Sequence, residues 1–255
     1  MVSSNTLPEL PDGQVIKDFA EFSGLEIDRI VKNIQSHKMI NTQDFAEKLT
    51  KEEFYENSKT YIFDLLNVNW SLEVPPYKVN RFLPNCLENI KSHPGKRFLE
   101  FGGGLGVFAE FVKRYTSKDV TYLDVEGYVS EFAQWRFRKY GIDIHFLLTP
   151  QDDFQLPHEY DIIFTDAVFE HLDPQQQLRY AKKLAAYLAD GGMLVFLVDL
   201  SGHEEDMPMH YDVDIKSLHK VFEDIGLKNS VGLNSFASVW GKNCNQEMNW
   251  SDFQS

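Results

Sequence analysis

Two cysteines in 255 residues, Cys86 and Cys244, stand far apart with no Cys-x-x-Cys and no Cys/His spacing. That pattern supports neither a disulfide framework nor a structural zinc site, and a reducing cytoplasm is the expected compartment. Long apolar runs are missing too, so no segment has the length to span a bilayer. The opening residues, M-V-S-S-N-T-L-P-E-L, lack the basic and apolar regions of a secretory signal. Basic charge is scarce: 25 Lys and Arg face 39 Asp and Glu, for a formal charge of −14. Such a surface repels phosphate backbones, so neither nucleic acid nor a membrane is an expected partner. The one basic cluster, Arg136, Arg138 and Lys139, reads as the solvated face of a helix. There is no internal repeat and no low-complexity linker.

What is present is organised around Arg97 to Gly106, R-F-L-E-F-G-G-G-L-G. It reads as a short buried strand ending in an acidic residue, followed by a glycine-rich turn. Behind the turn, Val107, Phe108, Phe111 and Val112 recur at helical spacing, so the glycines join a strand to a helix that packs back on a sheet. Glycines at 102, 104 and 106 leave no Cβ in the way of a ligand approaching the backbone and the N–H groups that open the helix. Glu100 lies at the strand's carboxyl end, where ligands of open α/β sheets bind. An acid there suits a cationic ligand group rather than a bare pyrophosphate.

The chain before this point is helical in pattern. Phe19, Phe22, Leu25, Ile27, Ile30, Val31 and Ile34 recur at three-to-four spacing, with a turn at Ser23-Gly24, and a second group runs from Phe45 to Leu66. Val74-Pro75-Pro76-Tyr77 predicts a turn before a helix over 78–91, and Ser92-His93-Pro94-Gly95 marks a boundary. Three regions follow from this: a helical extension or lid over 1–92, a core over 93–242, and a polar tail over 243–255. Within the core, strands and helices alternate, the signature of a parallel sheet wrapped by helices. The strand candidates are Arg97–Phe101, 120–124, 142–147, Tyr160–Thr165 and 193–198. Two short closing strands fall within 231–240, which makes seven. Helices are expected at Val107–Tyr115, Tyr128–Tyr140, 174–189 and 215–225, and Asp190-Gly191-Gly192 reads as the stop before the fifth strand.

Acidic and polar groups recur at the strand ends: Glu100 and the glycines after the first, Asp124 closing the second, Asp152 and Asp153 after the third, Thr165 and Asp166 closing the fourth. An acid closing the second strand can take both ribose hydroxyls, and one after the third can accept from an adenine amino group. Together they describe a positively charged, nucleoside-bearing ligand. A dinucleotide fingerprint would need G-x-G-x-x-G, and the position three after Gly104 is Val107.

The stretch from about Gly95 to Trp240 resembles the class I S-adenosylmethionine-dependent methyltransferases. The carriers are E-F-G-G-G-L-G, T-Y-L-D, Y-D-I-I-F-T-D-A-V-F-E-H-L and D-G-G-M-L, in order. The resemblance implies a doubly wound, mostly parallel, seven-stranded Rossmann-like α/β fold with an N-terminal helical cap. It also implies S-adenosylmethionine as cofactor, held at Glu100, Gly102, Gly104, Gly106, Asp124, Asp152 or Asp153, and Thr165. Glu170-His171 is similar to metal-ligand pairs of certain relatives, but the carboxylate those carry three residues earlier is Ala167 here, so no metal is expected.

Methyl transfer asks chiefly for in-line positioning of the acceptor in a site shielded from water. A base is required only where the acceptor carries a proton. Candidates are His210, His171 and Asp166, with Tyr61, Trp70, His203 and Tyr211 as substrate contacts. The resemblance implies that the acceptor lies by the loops after the fourth and fifth strands; in the long loop 201–211 the acidic run reads as a solvated surface, and His210 and Tyr211 are the expected contacts. The expected function is methylation of oxygen or nitrogen on a small molecule or peptide terminus. The alternatives are methylation of a protein side chain, or a cofactor-binding interaction module without turnover.

Overall fold

A computed structural model describes residues 14–36, 59, 61–66, 82–149, 154–200, 210–234 and 237–243. Helices α1 (Gln14–Ser23) and α2 (Ile27–Ser36) precede a helical segment α3 over 61–66 and helix α4 (Phe82–Ser92). Then come β1 (Arg97–Phe101), α5 (Val107–Tyr115), β2 (Asp119–Val125), α6 (Tyr128–Tyr140), β3 (His145–Thr149) and β4 (Tyr160–Thr165). After a 3-10 turn at Phe169–His171, the chain continues through α7 (Pro174–Ala186), β5 (Leu188–Leu197), α8 (Ile215–Asp224), β6 (Lys228–Asn234) and β7 (Ala237–Gly241).

The seven strands form one sheet in the order β3-β2-β1-β4-β5-β7-β6, parallel except for β7, which runs antiparallel to both its neighbours. From β1 the chain winds outward through β2 and β3, then returns to lay β4 on the other side of β1. The carboxyl ends of β1 and β4 therefore flank the switch point, the place where such sheets bind ligands. Strands β1 and β4 lie inside the sheet and read as near-continuous apolar runs because both their faces are covered.

Two apolar layers cover the sheet. On one face Cys86, Ile90, Phe108, Phe111, Val112 and Phe137 pack against Phe98, Tyr122, Ile162 and Val195. On the other, Tyr180, Leu184, Leu218 and Phe222 pack against Leu99, Ile163, Leu194 and Trp240. Each large side chain so buried contributes about 1.5–3 kcal/mol. Helix α7 starts at a capping box: the Asp173 carboxylate accepts from the Gln175 and Gln176 amides, Gln176 answers back to the Asp173 N–H, and Pro174 opens the first turn.

A third apolar cluster joins the helical extension to the core. Val15, Phe19, Ile30, Ile62 and Leu66 close over Leu105, Val129 and Phe132. Beneath it lies a buried ionic network. Arg136, fully buried, donates from Nε to Asp18 Oδ2 (3.1 Å), from Nη2 to Glu110 Oε2 (2.7 Å) and from Nη1 to the Leu105 carbonyl (3.3 Å). Lys139 and Tyr140 also donate to Asp18. Of the basic cluster on α6, Arg138 is exposed as expected, but Arg136 is fully buried: with Lys139 it holds α1 against α6, and their acidic partners come from distant parts of the chain.

Other expectations shift. Strand β3 begins at His145, three residues later than the apolar run suggests, because Ile142 and Ile144 pack laterally against the core before the ladder starts. Helix α7 ends at Ala186, and Asp190-Gly191-Gly192 lies inside β5 as an irregularity in its pairing with β4. Gly191 has φ +77°, its N–H donates to the Lys242 carbonyl, and its carbonyl meets His93 Nε2 at 3.1 Å.

Candidate functional site

The glycine turn is tied down by its own neighbours. The Gly102 and Gly103 amides donate to the Leu123 carbonyl, the Gly104 amide to Asp124 Oδ2 (2.6 Å), and the Gly106 amide to the Gly103 carbonyl. Tyr122 donates its hydroxyl to the Gly104 carbonyl (2.7 Å), and the Val125 amide donates to Asp124 Oδ1. At the opening of α5 the Ala109 amide donates to Glu100 Oε2 (3.0 Å). Glu100 thus occupies the place at the helix N-terminus where a phosphate would otherwise sit. The amides of Gly102, Gly103, Gly104, Gly106 and Ala109 are thus already in use, and the turn adds carboxylate oxygen and open room.

That room is at Gly104. A Cβ there would meet only Leu65 of α3, at 3.8 Å, whereas one at Gly102 would fall 2.2 Å from Val168 and one at Gly106 2.5 Å from the Phe137 ring. Gly102 and Gly106 are required by packing and by their left-handed φ of +75° and +71°; Gly104, at +52°, is the glycine that leaves a face bare.

Four carboxyls gather at these strand ends, and all are pushed upward. Burial raises Glu100 well above its ordinary range, with Asp124 and Asp166 adding to it. Burial raises Asp124, against hydrogen bonds from Gly104, Val125 and Tyr122. Burial carries Asp166 up to about 6, and burial, Asp166 and Asp199 carry Glu170 up to about 8. Among the described residues, no ion pair joins any of the four to a basic side chain. Buried acids in that condition favour an incoming cation. Thr165, wholly buried where β4 meets β1 and β5, has a hydroxyl oxygen without a hydrogen-bond partner.

Beyond β4 lies an aromatic wall. The His171 ring stands edge-on to His210 at 4.8 Å and to Tyr61 at 6.4 Å. Burial raises the Tyr61 hydroxyl, and both Asp124 and Glu170 add to the shift, so this residue of α3 lies near the glycine turn and the 3-10 turn alike. The Tyr211 amide donates to the Glu170 carbonyl (2.6 Å), which holds the loop before α8 against the turn after β4. Ala167, between them, has a left-handed φ of +52°. Of the site candidates, Glu100, Gly102, Gly104, Asp124, Thr165, Asp166, Tyr61, His171, His210 and Tyr211 lie at this one end of the sheet. Asp152, Asp153, Trp70 and His203 lie outside the described residues, as does the Pro75-Pro76 turn.

The sequence profile of a methyltransferase domain family matches residues 73–230, more than half of the chain. The chain belongs to that family. Among curated relatives, the malonyl-[acyl-carrier protein] O-methyltransferase 1 of Ilyobacter polytropus is 27% identical over 139 residues, 51% of this chain and 50% of that protein. The ribosomal RNA small subunit methyltransferase C of Pseudomonas aeruginosa is 30% identical over 112 residues, 42% of this chain and 33% of that one. The chain thus spans about half, or less, of the curated relatives it matches. The N-methyltransferase NodS from Bradyrhizobium japonicum, solved with S-adenosyl-L-homocysteine, superposes with a TM-score of 0.52 at 19% identity, covering 67% of this chain and 89% of that one.

The methyltransferase's cofactor is S-adenosylmethionine, and the donor set suits it. A sulfonium and an ammonium find uncompensated carboxyls, and the bare face of Gly104 gives room beside them. When bound, the cofactor supplies an activated methyl group. Four residues of this site escape sequence reasoning as contacts. Tyr122 was visible as the position two before Asp124, hence on the same face of β2. Leu65, Val168 and the buried side chain of Glu170 carried no comparable signal. Among the described residues, no group of three His, Cys, Asp or Glu is placed to hold a metal ion, and no helix is long and apolar enough to cross a membrane.

Proposed function

We propose that this methyltransferase methylates an oxygen or nitrogen of a small molecule or a peptide terminus, by in-line transfer in a pocket shielded from water. The observation that carries the reading is the pairing, at one end of the sheet, of an acid-lined glycine turn with an aromatic wall from Tyr61, His171 and His210.

In this reading Glu100, Gly102 and Gly104 hold the methionine portion of the cofactor and Gly106 fixes the turn. Asp124 takes the ribose hydroxyls, Asp152 or Asp153 the adenine, and Thr165 lies at the strand end beside them. Tyr61, Trp70, His203 and Tyr211 contact the acceptor, and His210, His171 and Asp166 are the candidates for accepting its proton. Residues 1–92 act as a lid on the core 93–242, because α3 lies over both the glycine turn, through Leu65, and the aromatic wall, through Tyr61. Positioning and exclusion of water are the larger contribution, since the methyl is already activated.

The two curated relatives act, by their names, on a malonyl group carried by a protein and on ribosomal RNA. Both are anionic, and a site whose four acids pair with no basic side chain among the described residues, on a chain of charge −14, suits neither. Calorimetry with S-adenosylhomocysteine tests the cofactor half, with binding expected; a nicotinamide dinucleotide bound in its place would overturn the reading. Transfer of a labelled methyl to small acceptors, peptides and RNA tests the other half, and label passing to RNA alone would sink it. His210→Ala should lose turnover and keep cofactor affinity; normal rates would demote that histidine to packing.

A further inference from the structure

We infer that the acceptor is an amine, which enters as its ammonium and is held against Glu170, whose free carboxylate oxygen takes the proton that the amine sheds. The inference rests on the methyltransferase reading above and narrows its acceptor to one chemical class.

Glu170 lies in the 3-10 turn after β4 and is 1% exposed. Its Oε1 accepts from the Asp199 amide (3.2 Å); its Oε2 is buried with no hydrogen-bond partner. An orphaned buried carboxylate oxygen costs about 1–3 kcal/mol or more relative to a satisfied one. A residue kept only for packing would be better as Gln or an apolar side chain. The surroundings add negative charge rather than remove it. Asp166 at the end of β4 and Asp199 after β5 both push Glu170 upward, and from α3 the Tyr61 hydroxyl feels Glu170 and Asp124 together. Among the described residues, the imidazole of His171, in the turn itself, stands 4.8 Å from that of His210.

An acceptor carboxylate placed here would add one more negative charge beside buried acids that, among the described residues, pair with no basic side chain. An alcohol would satisfy Oε2 and leave Asp166 uncompensated. An ammonium does both: it donates to Oε2, offsets the neighbouring acids, and lies against aromatic rings that favour a cation. In the empty site burial keeps Glu170 largely protonated near neutrality, so the entering cation drives that proton out to solvent. The carboxylate then accepts a proton from the ammonium. An N–H bond breaks, its electron pair stays on nitrogen as the lone pair needed for attack, and an O–H bond forms at Oε2.

The test uses the full chain loaded with S-adenosylhomocysteine and titrated with matched sets that share a skeleton: phenethylamine, phenethyl alcohol and phenylacetate, then butylamine, butanol and butyrate. Calorimetry in two buffers of different ionisation enthalpy reads affinity and proton release together. The expected result is that amines bind at least tenfold tighter than their alcohols and acids, with release of a proton near pH 7. Glu170→Gln should abolish that release and weaken amine binding at least tenfold, while S-adenosylhomocysteine affinity and the melting temperature of the free protein do not fall. Should Glu170→Gln fail to fold, proton release and class preference in the native chain decide. Preference for alcohol or acid, failure of every amine to bind, or amine binding without proton release would overturn the inference. Failure of S-adenosylhomocysteine itself to bind would instead remove the reading beneath it.

Discussion

Two groups of buried acids lie within this fold, and they are treated in opposite ways. Under the helical cap, Asp18 is fully buried, yet hydrogen bonds from Tyr140, Gln14, Lys139 and Arg136 outweigh burial and hold it below its ordinary range. At the strand ends Glu100, Asp124, Asp166 and Glu170 are pushed up, with no basic partner among the described residues. Glu100 and Glu170 are buried much as Asp18 is, Asp124 and Asp166 are half-buried, and the outcome reverses. Where the chain uses a buried charge to join two elements, it supplies the counter-charge itself. Where the described residues supply none, the reading above has the counter-charge come from outside, as the cofactor's cation and the acceptor's.

The largest effect is expected at Arg136. Arg136→Met removes the buried cation that Asp18 and Glu110 share, leaving Asp18 to Lys139, Tyr140 and Gln14 and Glu110 to Arg114, and should cost roughly 3–5 kcal/mol of folding stability by denaturant titration. A loss under about 1 kcal/mol would mean that water reaches the network and that the pairing is not what holds the cap. Next in size, Asp124→Ala should weaken S-adenosylmethionine binding by about 1–3 kcal/mol through lost charge-assisted hydrogen bonds. Unchanged affinity would take Asp124 out of the site.

Stability against pH sharpens the contrast by sign. Glu170 is raised in the folded chain, so its contribution is full below about 4.5, its ordinary value, and is lost as pH rises toward 8; Asp166 behaves likewise up to about 6. Asp18 is lowered, so its contribution is present above 3.8 and is lost as pH falls below it. The free protein should therefore lose stability from pH 5 to 8, by at most about 1.4 kcal/mol per pH unit for each such proton. Bound S-adenosylmethionine should flatten that slope, because its cation favours the ionised acids. A melting temperature independent of pH across this range, with and without ligand, would count against uncompensated acids. The smallest effect serves as the control: Lys220→Ala removes an exposed pair with Asp224 and should change stability by less than about 0.5 kcal/mol.

The order of elements and the glycine turn were legible because buried strands announce themselves as apolar runs and the turn's acids recur at strand ends. What was not legible depends on partners remote in sequence. Arg136 looked solvated beside Arg138 and Lys139 because the acids that bury it, Asp18 and Glu110, belong to other helices. Glu170 carried only a family echo as a metal ligand; its orphaned oxygen is a property of packing. Likewise, nothing in Asp190-Gly191-Gly192 distinguishes a helix stop from an irregular strand entry, since both ask for a left-handed glycine.

The reversed strand has a consequence for how the chain folds. Strand β5 is buried over Met193–Leu197, and its outer edge is closed by β7, which emerges from synthesis only with the last described residues. Until then a nearly uncharged apolar edge is open to any other strand. Nascent chains, and chains cut before residue 237, are therefore the forms of this protein most prone to aggregate, however stable the finished sheet becomes.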